Sequence, residues 1–229
     1  MRRQGRAVGV LKVLIHDAPR RRTPPLLPHV RTSSAPGATL KEWAVVVQAL
    51  LEGEQILDLR KGGLREDGRH FRVQSSRVWL YPTVEHQDAE LLKPPYRRWV
   101  ASTAAAAPAD RAIRIEGWAD IVGVATITEP DVLDALDGKV IWSRDYVETR
   151  FRWKARDPLQ VLALRVHRLD EPITVAFRDE YGGCTSWVDL DELPDPGTVA
   201  SRPALSDIAF EARYQGAVEA IPGGFALPD

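Results

Sequence analysis

The stretch PLQVLALRVHRL, residues 158–169, constrains the fold more than any other part of the chain. Its apolar residues are almost continuous rather than alternating, which is the pattern of a strand that is covered on both faces. We therefore predict a strand in a central position of a sheet.

Further strands are predicted on either side of this one along the sequence. WAVVVQAL and ILDLR, at 43–50 and 56–60, are two β-rich runs joined by EGEQ with Gly53, which is typical of a β-hairpin. RAIRIEGWADIVGVATI, at 111–127, places apolar residues at every second position and predicts a strand with a bulge at Gly117. Shorter strands are predicted at 78–82 and 186–190.

Helical segments interrupt these strands. A short helix is predicted at 84–100, broken at Pro94-Pro95, and it is followed by a low-complexity linker at 101–110. VIWSRDYVETRF, at 140–151, has the three-to-four spacing of a helix whose Trp142 and Tyr146 are buried. Two more helices are predicted at 131–137 and around 205–214. The mixture indicates an α+β fold: one domain with a mostly antiparallel sheet and two or three short helices.

Composition divides the chain into three parts. Residues 1–38 hold eight Lys/Arg and one acid, are rich in arginine and proline, and predict a disordered basic tail. Residues 39–193 are expected to form the core domain, and 194–229 a C-terminal extension with one short helix. Beyond the tail there are 23 basic and 31 acidic residues, so a broad DNA-coating surface is excluded and nucleic-acid contact would need a local basic patch.

The class of protein follows from the same counts. Hydrophobic content of 44% and charged content of 28% are those of an ordinary globular protein, and no apolar run is long enough to span a bilayer. The single cysteine, Cys184, excludes an internal disulfide and suits a reducing compartment, so a cytoplasmic protein without membrane contact is expected. Following two glycines, Cys184 is expected to be a buried structural residue.

The first candidate site is LRKGGLRE, at 59–66. Gly62 and Gly63 allow positive φ angles, and their backbone N–H groups beside Lys61 can form an anion-binding nest. A plain glycine turn with solvated charges is the alternative. The stretch is not a Walker loop, because the required spacing is absent.

The second candidate is YPTVEHQ, at 81–87. Glu85 and His86 are candidates for a catalytic base and acid, and Gln87 for a ligand contact. In the alternative, His86 caps a helix whose first turn carries Glu85 and Asp88. No metal site is assigned, because the zinc-deaminase and H-E-x-x-H spacings are both absent.

The third candidate is RFRWKAR, at 150–156, where Arg152, Lys154 and Arg156 alternate with aromatic and small residues. Basic residues interleaved with aromatic ones suit nucleic-acid binding. The same texture is found in an amphipathic strand edge or helix end with Trp153 packed inward.

Four segments, LRKGG, YPT-x-EHQ, LLKP and YGGC-x-SW, lie in order within residues 40–192 and resemble the domain of unknown function 1802 family. The resemblance adds Lys93 to the candidate anion-binding residues, through LLKP. Asp58 departs from the pattern, since the family usually keeps an apolar residue there. The resemblance implies a prokaryotic protein, with a hint of restriction or defence through relatives that carry a nuclease domain.

Three functions are consistent with these observations. The leading hypothesis is an accessory domain that binds nucleic acid or a nucleotide-like anion, with a nuclease as a further partner. The second is a small hydrolase-like enzyme that uses Glu85 and His86, and the third is a structural interaction module. The sequence assigns no cofactor.

Overall fold

A computed structural model describes residues 37–61 and 73–228. Seven strands form one sheet: β1 (Ala38–Trp43), β2 (Leu57–Arg60), β3 (Arg77–Thr83), β4 (Ile113–Ile127), β5 (Leu159–Val175), β6 (Trp187–Asp189) and β7 (Ser201–Pro203). The described part also contains five α-helices: α1 (Ala44–Leu51), α2 (Pro94–Ala106), α3 (Leu133–Leu136), α4 (Arg144–Arg152) and α5 (Asp207–Ala220). The predicted basic tail lies outside the described residues, apart from residues 37 and 38.

The strand order is β2-β5-β4-β3-β1-β6, and β7 pairs with β5. β1 and β3 pair in parallel, while the other pairs are antiparallel, so the prediction of an α+β fold with a mostly antiparallel sheet is confirmed. β5 lies between β2 and β4, which confirms the central position predicted from its continuous apolarity. The β4–β5 register shifts between Ile115 and Gly117, which confirms the predicted bulge.

Apolar clusters cover both faces of the sheet. Along β3, Val78 and Leu80 belong to the larger cluster, whereas Trp79 and Tyr81 belong to the smaller one. Successive side chains of a strand point to opposite faces, so the two clusters lie on opposite sides. The sheet also curls. Its curvature brings β2 close to β1, four strands away in the order, so that Arg60 on β2 donates a hydrogen bond to the Lys41 carbonyl on β1.

The predicted hairpin at 43–60 is wrong, because residues 44–51 form helix α1 rather than a strand. Six of its eight residues are buried, and a helix buried all round shows the same continuous apolar run as a buried strand. Gly53, at φ +70°, ends the helix: its N–H donates to the Leu50 carbonyl, and the Glu54 N–H donates to the Ala49 carbonyl. This is the Schellman arrangement, so the glycine is a helix cap and not a hairpin turn.

The prolines and alanines of 94–106 were also misread. Pro94 and Pro95 begin α2 rather than breaking a helix, because the first turn needs no N–H donors from its own residues. Alanine has the highest helix propensity, and the predicted linker therefore remains helical as far as Ala106. The structure thus has five helices in its described part, not two or three, and two of them run for 13 and 14 residues.

A buried charged cluster joins β1 to β2. The Arg60 guanidinium lies 2.7 Å from the Asp58 carboxylate and 2.9 Å from the Glu42 carboxylate. Asp58 is fully buried. Burial raises the pKa of the Glu42 carboxyl from 4.5 to about 7, against the opposing effect of Arg60.

The raised pKa of Glu42 predicts a pH-dependent stability. Between pH 4.5 and 7 the folded protein holds a proton that the unfolded chain has lost, so this contribution to stability is full below 4.5 and disappears as the pH rises through 7. We expect the free energy of unfolding of the natural protein, relative to Glu42→Gln, to fall over that interval. Urea unfolding of both proteins across the range measures the difference. A difference that does not change with pH contradicts the prediction.

Candidate functional site

A cleft of about 520 Å³ opens beside the β1–β3 pair. Its walls come from β1, one face of α1 along its whole length, the end of β3, the carboxyl end of α2, the start of β4, and β5 with the segment after it. The charged and aromatic side chains that line it are Lys41, Glu52, Tyr81, Glu85, Arg111, Arg114, Glu116, Arg168 and Phe177.

Lys41 is the buried cation of this cleft. It is paired with Tyr81 in the parallel ladder, and residues paired across adjacent strands project to the same face. Its ammonium donates hydrogen bonds of 3.0 Å to the Tyr181 and Gly183 carbonyls and lies 5.2 Å from the centroid of the Tyr81 ring. Burial lowers the pKa of the Lys41 ammonium, and Glu85 and Cys184 oppose this shift.

Tyr81 is held as a neutral hydroxyl. Burial, assisted by the neighbouring Glu85 carboxylate, raises the pKa of Tyr81 to about 12. Its hydroxyl donates over 3.5 Å to the Tyr181 carbonyl, which also accepts from Lys41. The YPT-x-EHQ and YGGC-x-SW segments, far apart along the chain, therefore meet at Lys41.

Glu85, His86 and Gln87 have different surroundings. Glu85 lines the cleft, whereas His86 is exposed, does not line it, and has a φ angle of +62°. Gln87 holds the framework together: its side-chain oxygen accepts from the Val45 N–H of α1 at 2.9 Å, and its amide donates to Thr103 of α2 at 3.4 Å. Glu85 and His86 thus do not meet in the cleft as the hydrolase hypothesis requires.

The capping role considered for His86 belongs to Asp88. The Asp88 carboxylate accepts a hydrogen bond from the Glu90 N–H at 2.9 Å, at the start of a 3-10 turn over Ala89–Leu91. Of the polar residues that follow β3, Glu85 therefore lines the cleft, Gln87 connects α1 to α2, and Asp88 caps the 3-10 turn.

Arg111 and Phe177 form a stacked pair in the wall of the cleft. The central carbon of the Arg111 guanidinium lies 3.8 Å from the centroid of the Phe177 ring. Arg111 is exposed and has a φ angle of +63°, and its N–H donates to the Pro108 carbonyl in the turn that follows α2. The other two arginines of the cleft have carboxylate partners: Arg168 lies 2.9 Å from Glu52, and Arg114 lies 2.6 Å from Glu116.

Lys61 and Lys93, predicted to bind an anion, lie outside this cleft. The buried Lys61 ammonium donates to the Phe151 carbonyl and lies 5.3 Å from the Phe151 ring centroid, and burial lowers its pKa. Gly62 and Gly63 of the predicted nest lie outside the described residues. Lys93 forms an ion pair of 2.6 Å with Asp137. Of the predicted site residues that the structure describes, the cleft thus contains Glu85 alone.

The basic segment at 150–156 forms the end of α4 and the turn after it. Trp153 is 38% exposed, with the Arg150 guanidinium 4.9 Å and the Lys154 ammonium 4.6 Å from its ring. Arg152 pairs with Glu148 at 3.2 Å, and Arg156 is exposed. The structure therefore places Arg152, Lys154 and Arg156 on a surface whose tryptophan faces outward, rather than at an inward-packed helix end.

Two further expectations concern metals and cysteine. Across 37–61 and 73–228, no group of three or more His, Cys, Asp or Glu side chains is arranged to hold a metal ion. Cys184 was expected to be buried and is exposed, because the loop at 182–184 follows a short 3-10 turn on the surface instead of entering the sheet.

Among the helices of residues 37–61 and 73–228, none has the length and apolarity needed to cross a bilayer.

The sequence reasoning missed Lys41, Arg111 and Phe177. Lys41 lies two positions before the apolar run predicted as a strand at 43–50, next to Glu42, so its local sequence is that of a solvated charge. Arg111 and Phe177 lie in loops 66 positions apart, and nothing in their local sequence marks them. Their proximity depends on the pairing of β4 with β5, in which Ile113 lies opposite Val175.

Comparison with solved structures gives distant similarities. The ASCH protein of Zymomonas mobilis matches at 14% identity and a TM-score of 0.40, covering 68% of this chain and 87% of that one. A serine-to-alanine variant of that protein matches at 14% identity and a TM-score of 0.41, covering 69% of this chain and 92% of that one. A tyrosine-to-phenylalanine variant matches at 12% identity and a TM-score of 0.40, covering 68% of this chain and 90% of that one. No curated protein matches the chain.

The match to a family model is much more extensive. The model described as "Domain of unknown function (DUF1802)" covers residues 39–216, which include all seven strands except the first residue of β1, and all helices except the end of α5. This agrees with the resemblance carried by the LRKGG, YPT-x-EHQ, LLKP and YGGC-x-SW segments. The chain belongs to the domain of unknown function 1802 family.

Proposed function

We propose that the protein binds a nucleotide-like anion, a flat ring joined to a phosphate group, in the cleft beside Lys41. The observation that carries the proposal is the buried ammonium of Lys41. An ammonium has three donors, and within the described residues two of them have acceptors, the Tyr181 and Gly183 carbonyls. Both acceptors are uncharged, so a ligand oxygen with negative charge would complete the coordination of Lys41 and offset part of its burial cost.

The start of α1 supports an anion at the same place. Ala44, the first residue of α1, lines the cleft three positions after Lys41. The amino end of a helix carries a partial positive charge, and α1 has no acidic residue in its first turn. Gln87 accepts from the Val45 N–H and thereby holds this helix end against the cleft wall.

The remaining lining suits the ring of such a ligand. Pro82, Val84 and Ala106 supply apolar surface, and Ser102 and Glu85 supply polar groups for hydrogen bonds. A mostly apolar cleft with a few convergent polar groups, in the size range of roughly 300–1,000 Å³, is characteristic of small-molecule sites. An unpaired nucleotide of a single strand has the same chemistry, which connects this proposal with the nucleic-acid binding inferred from the sequence.

Binding of AMP and UMP tests the proposal by isothermal titration calorimetry at low ionic strength. Lys41→Met should weaken binding by about tenfold or more, because a hydrogen bond to a charged group contributes about 1.5–3 kcal/mol. Lys93→Met is the matched control: it also removes an ammonium, but one that pairs with Asp137 outside the cleft, and its affinity should stay within about twofold of the natural protein.

A second variant separates a loss of binding from a loss of folding, which Lys41→Met alone does not do. Ala44→Glu places a carboxylate in the cleft at the first position of α1, where an acidic residue favours the helix, so this protein should fold and repel the phosphate. The proposal is overturned if the natural protein binds none of the nucleotides, or if Lys41→Met and Ala44→Glu bind them as tightly as Lys93→Met does.

A further inference from the structure

The Arg111–Phe177 pair points to the part of the ligand that determines specificity. We infer that the Arg111 guanidinium, backed by the Phe177 ring, is a stacking platform for the base of a nucleotide, so that the cleft selects base-bearing phosphates over sugar phosphates and inorganic phosphate. This inference rests on the function proposed above and adds the residue that recognises the ring.

The geometry of the pair leaves one face of the guanidinium open. A distance of 3.8 Å from the guanidinium carbon to the Phe177 centroid is a stacking contact, and it occupies one face of the planar group. Arg111 is exposed, and within 37–61 and 73–228 no carboxylate forms an ion pair with it. Because Arg111 lines the cleft, its second face is available to a flat ligand there.

The backbone holds this arginine in an unfavourable conformation. A φ angle of +63° is uncommon for a residue other than glycine, because the side chain crowds the backbone there. The turn is held by the Arg111 N–H on the Pro108 carbonyl and by the Ala112 N–H on the Asp110 carboxylate. The turn thus fixes the backbone from which the Arg111 side chain extends, and the contact with Phe177 holds the guanidinium, which reduces the entropy lost on binding.

Two groups of cleft residues therefore have separate tasks. Lys41 and the start of α1 provide positive charge for phosphate, whereas the Arg111–Phe177 pair and the apolar residues at the carboxyl end of α2 provide flat and apolar contacts. The carboxyl end of a helix carries partial negative charge, so phosphate is disfavoured beside Ala106 and Ala107, and base amino groups are favoured there.

The test compares AMP with ribose 5-phosphate and inorganic phosphate. Arg111→Lys keeps the charge and the backbone position but lacks the planar group, and Phe177→Leu keeps an apolar side chain without the ring. In each variant AMP affinity should fall by about tenfold, since stacking contributes about 1–3 kcal/mol per base, while ribose 5-phosphate affinity should change less than about twofold. Arg150→Lys is the matched control, because Arg150 stacks on Trp153 outside the cleft, and it should leave both affinities unchanged.

The outcomes separate this inference from the function on which it rests. If the natural protein binds none of the three phosphates, and no oligoadenylate, the proposed function fails. If it binds AMP and ribose 5-phosphate equally, or if Arg111→Lys and Phe177→Leu bind AMP like the natural protein, the stacking inference is overturned and the phosphate site stands. Tighter binding of a six-nucleotide oligoadenylate than of AMP identifies a single strand as the source of the nucleotide, and the reverse order identifies the free nucleotide. The tenfold effect of Arg111→Lys supports stacking in both cases.

Discussion

Replacing Arg60 with methionine should lower the free energy of unfolding by about 3–5 kcal/mol, the usual cost of removing one member of a buried ion pair. Arg60 bridges Asp58, Glu42 and the Lys41 carbonyl, and all three contacts are buried or nearly so. Without the guanidinium, the fully buried Asp58 carboxylate loses the charge partner that Arg60 provides. Urea unfolding followed by circular dichroism measures the change.

Two controls make this result specific to burial. Arg152→Met removes an arginine whose partner Glu148 lies on the surface, and it should cost less than about 1 kcal/mol. The double variant Asp58→Leu with Arg60→Met also removes the unpaired carboxylate and places an apolar residue at this buried position. It should be more stable than Arg60→Met alone. If Arg60→Met lowers the free energy of unfolding no more than Arg152→Met does, the buried charged cluster of Arg60, Asp58 and Glu42 does not provide the predicted stability.

Truncation of Phe210 to alanine should also lower the free energy of unfolding by about 3–5 kcal/mol, because it opens a cavity in the core. Phe210 is 1% exposed, belongs to the larger apolar cluster, and lies beneath the Arg165 guanidinium at 4.7 Å. With Tyr214 and Ala217 it forms the buried side of α5, so the truncation loosens the attachment of this helix to the sheet. Thermal or urea unfolding provides the measurement.

The same helix offers a matched control two positions earlier. Ile208 is 86% exposed, and Ile208→Ala should change stability by no more than about 0.5 kcal/mol. Equal losses for Phe210→Ala and Ile208→Ala would mean that α5 does not dock on the core as described.

The candidate site was predicted only in part, and the reason differs from residue to residue. Glu85 was singled out because polar residues follow an apolar strand, and the structure places it in the cleft. Lys61 was singled out by the adjacent glycines, yet its ammonium donates to the Phe151 carbonyl, a contact across 90 positions. Gln87 looked like a ligand contact, but it holds α1 against α2. Local composition marks polar residues, whereas the partner of each one is decided by distant parts of the chain.

The sequence by itself determined the elements whose patterns have a single interpretation. Period-two alternation identified β4 with its bulge at Gly117. The twelve-residue apolar run at 158–169 was correctly predicted as a central strand, although the shorter run at 44–51 shows that such a pattern also occurs in a buried helix. Ser143 as a cap and the Arg144–Glu148 ion pair at 3.0 Å support the helix predicted there. The shared segments also identified the family, and all four lie within the residues that the family model matches.

Only the tertiary structure decided the identity of α1 and the composition of the cleft. A buried helix and a buried strand share the same apolar composition, and packing on all sides made residues 44–51 a helix. With α1 helical, β1 can run parallel to β3 and place Lys41 beside Tyr81, whereas the predicted hairpin would have directed residues 43–50 along the sheet. The cleft is formed by strand pairings between residues tens of positions apart, and such long-range contacts are set by the packing of the whole domain rather than by local periodicity.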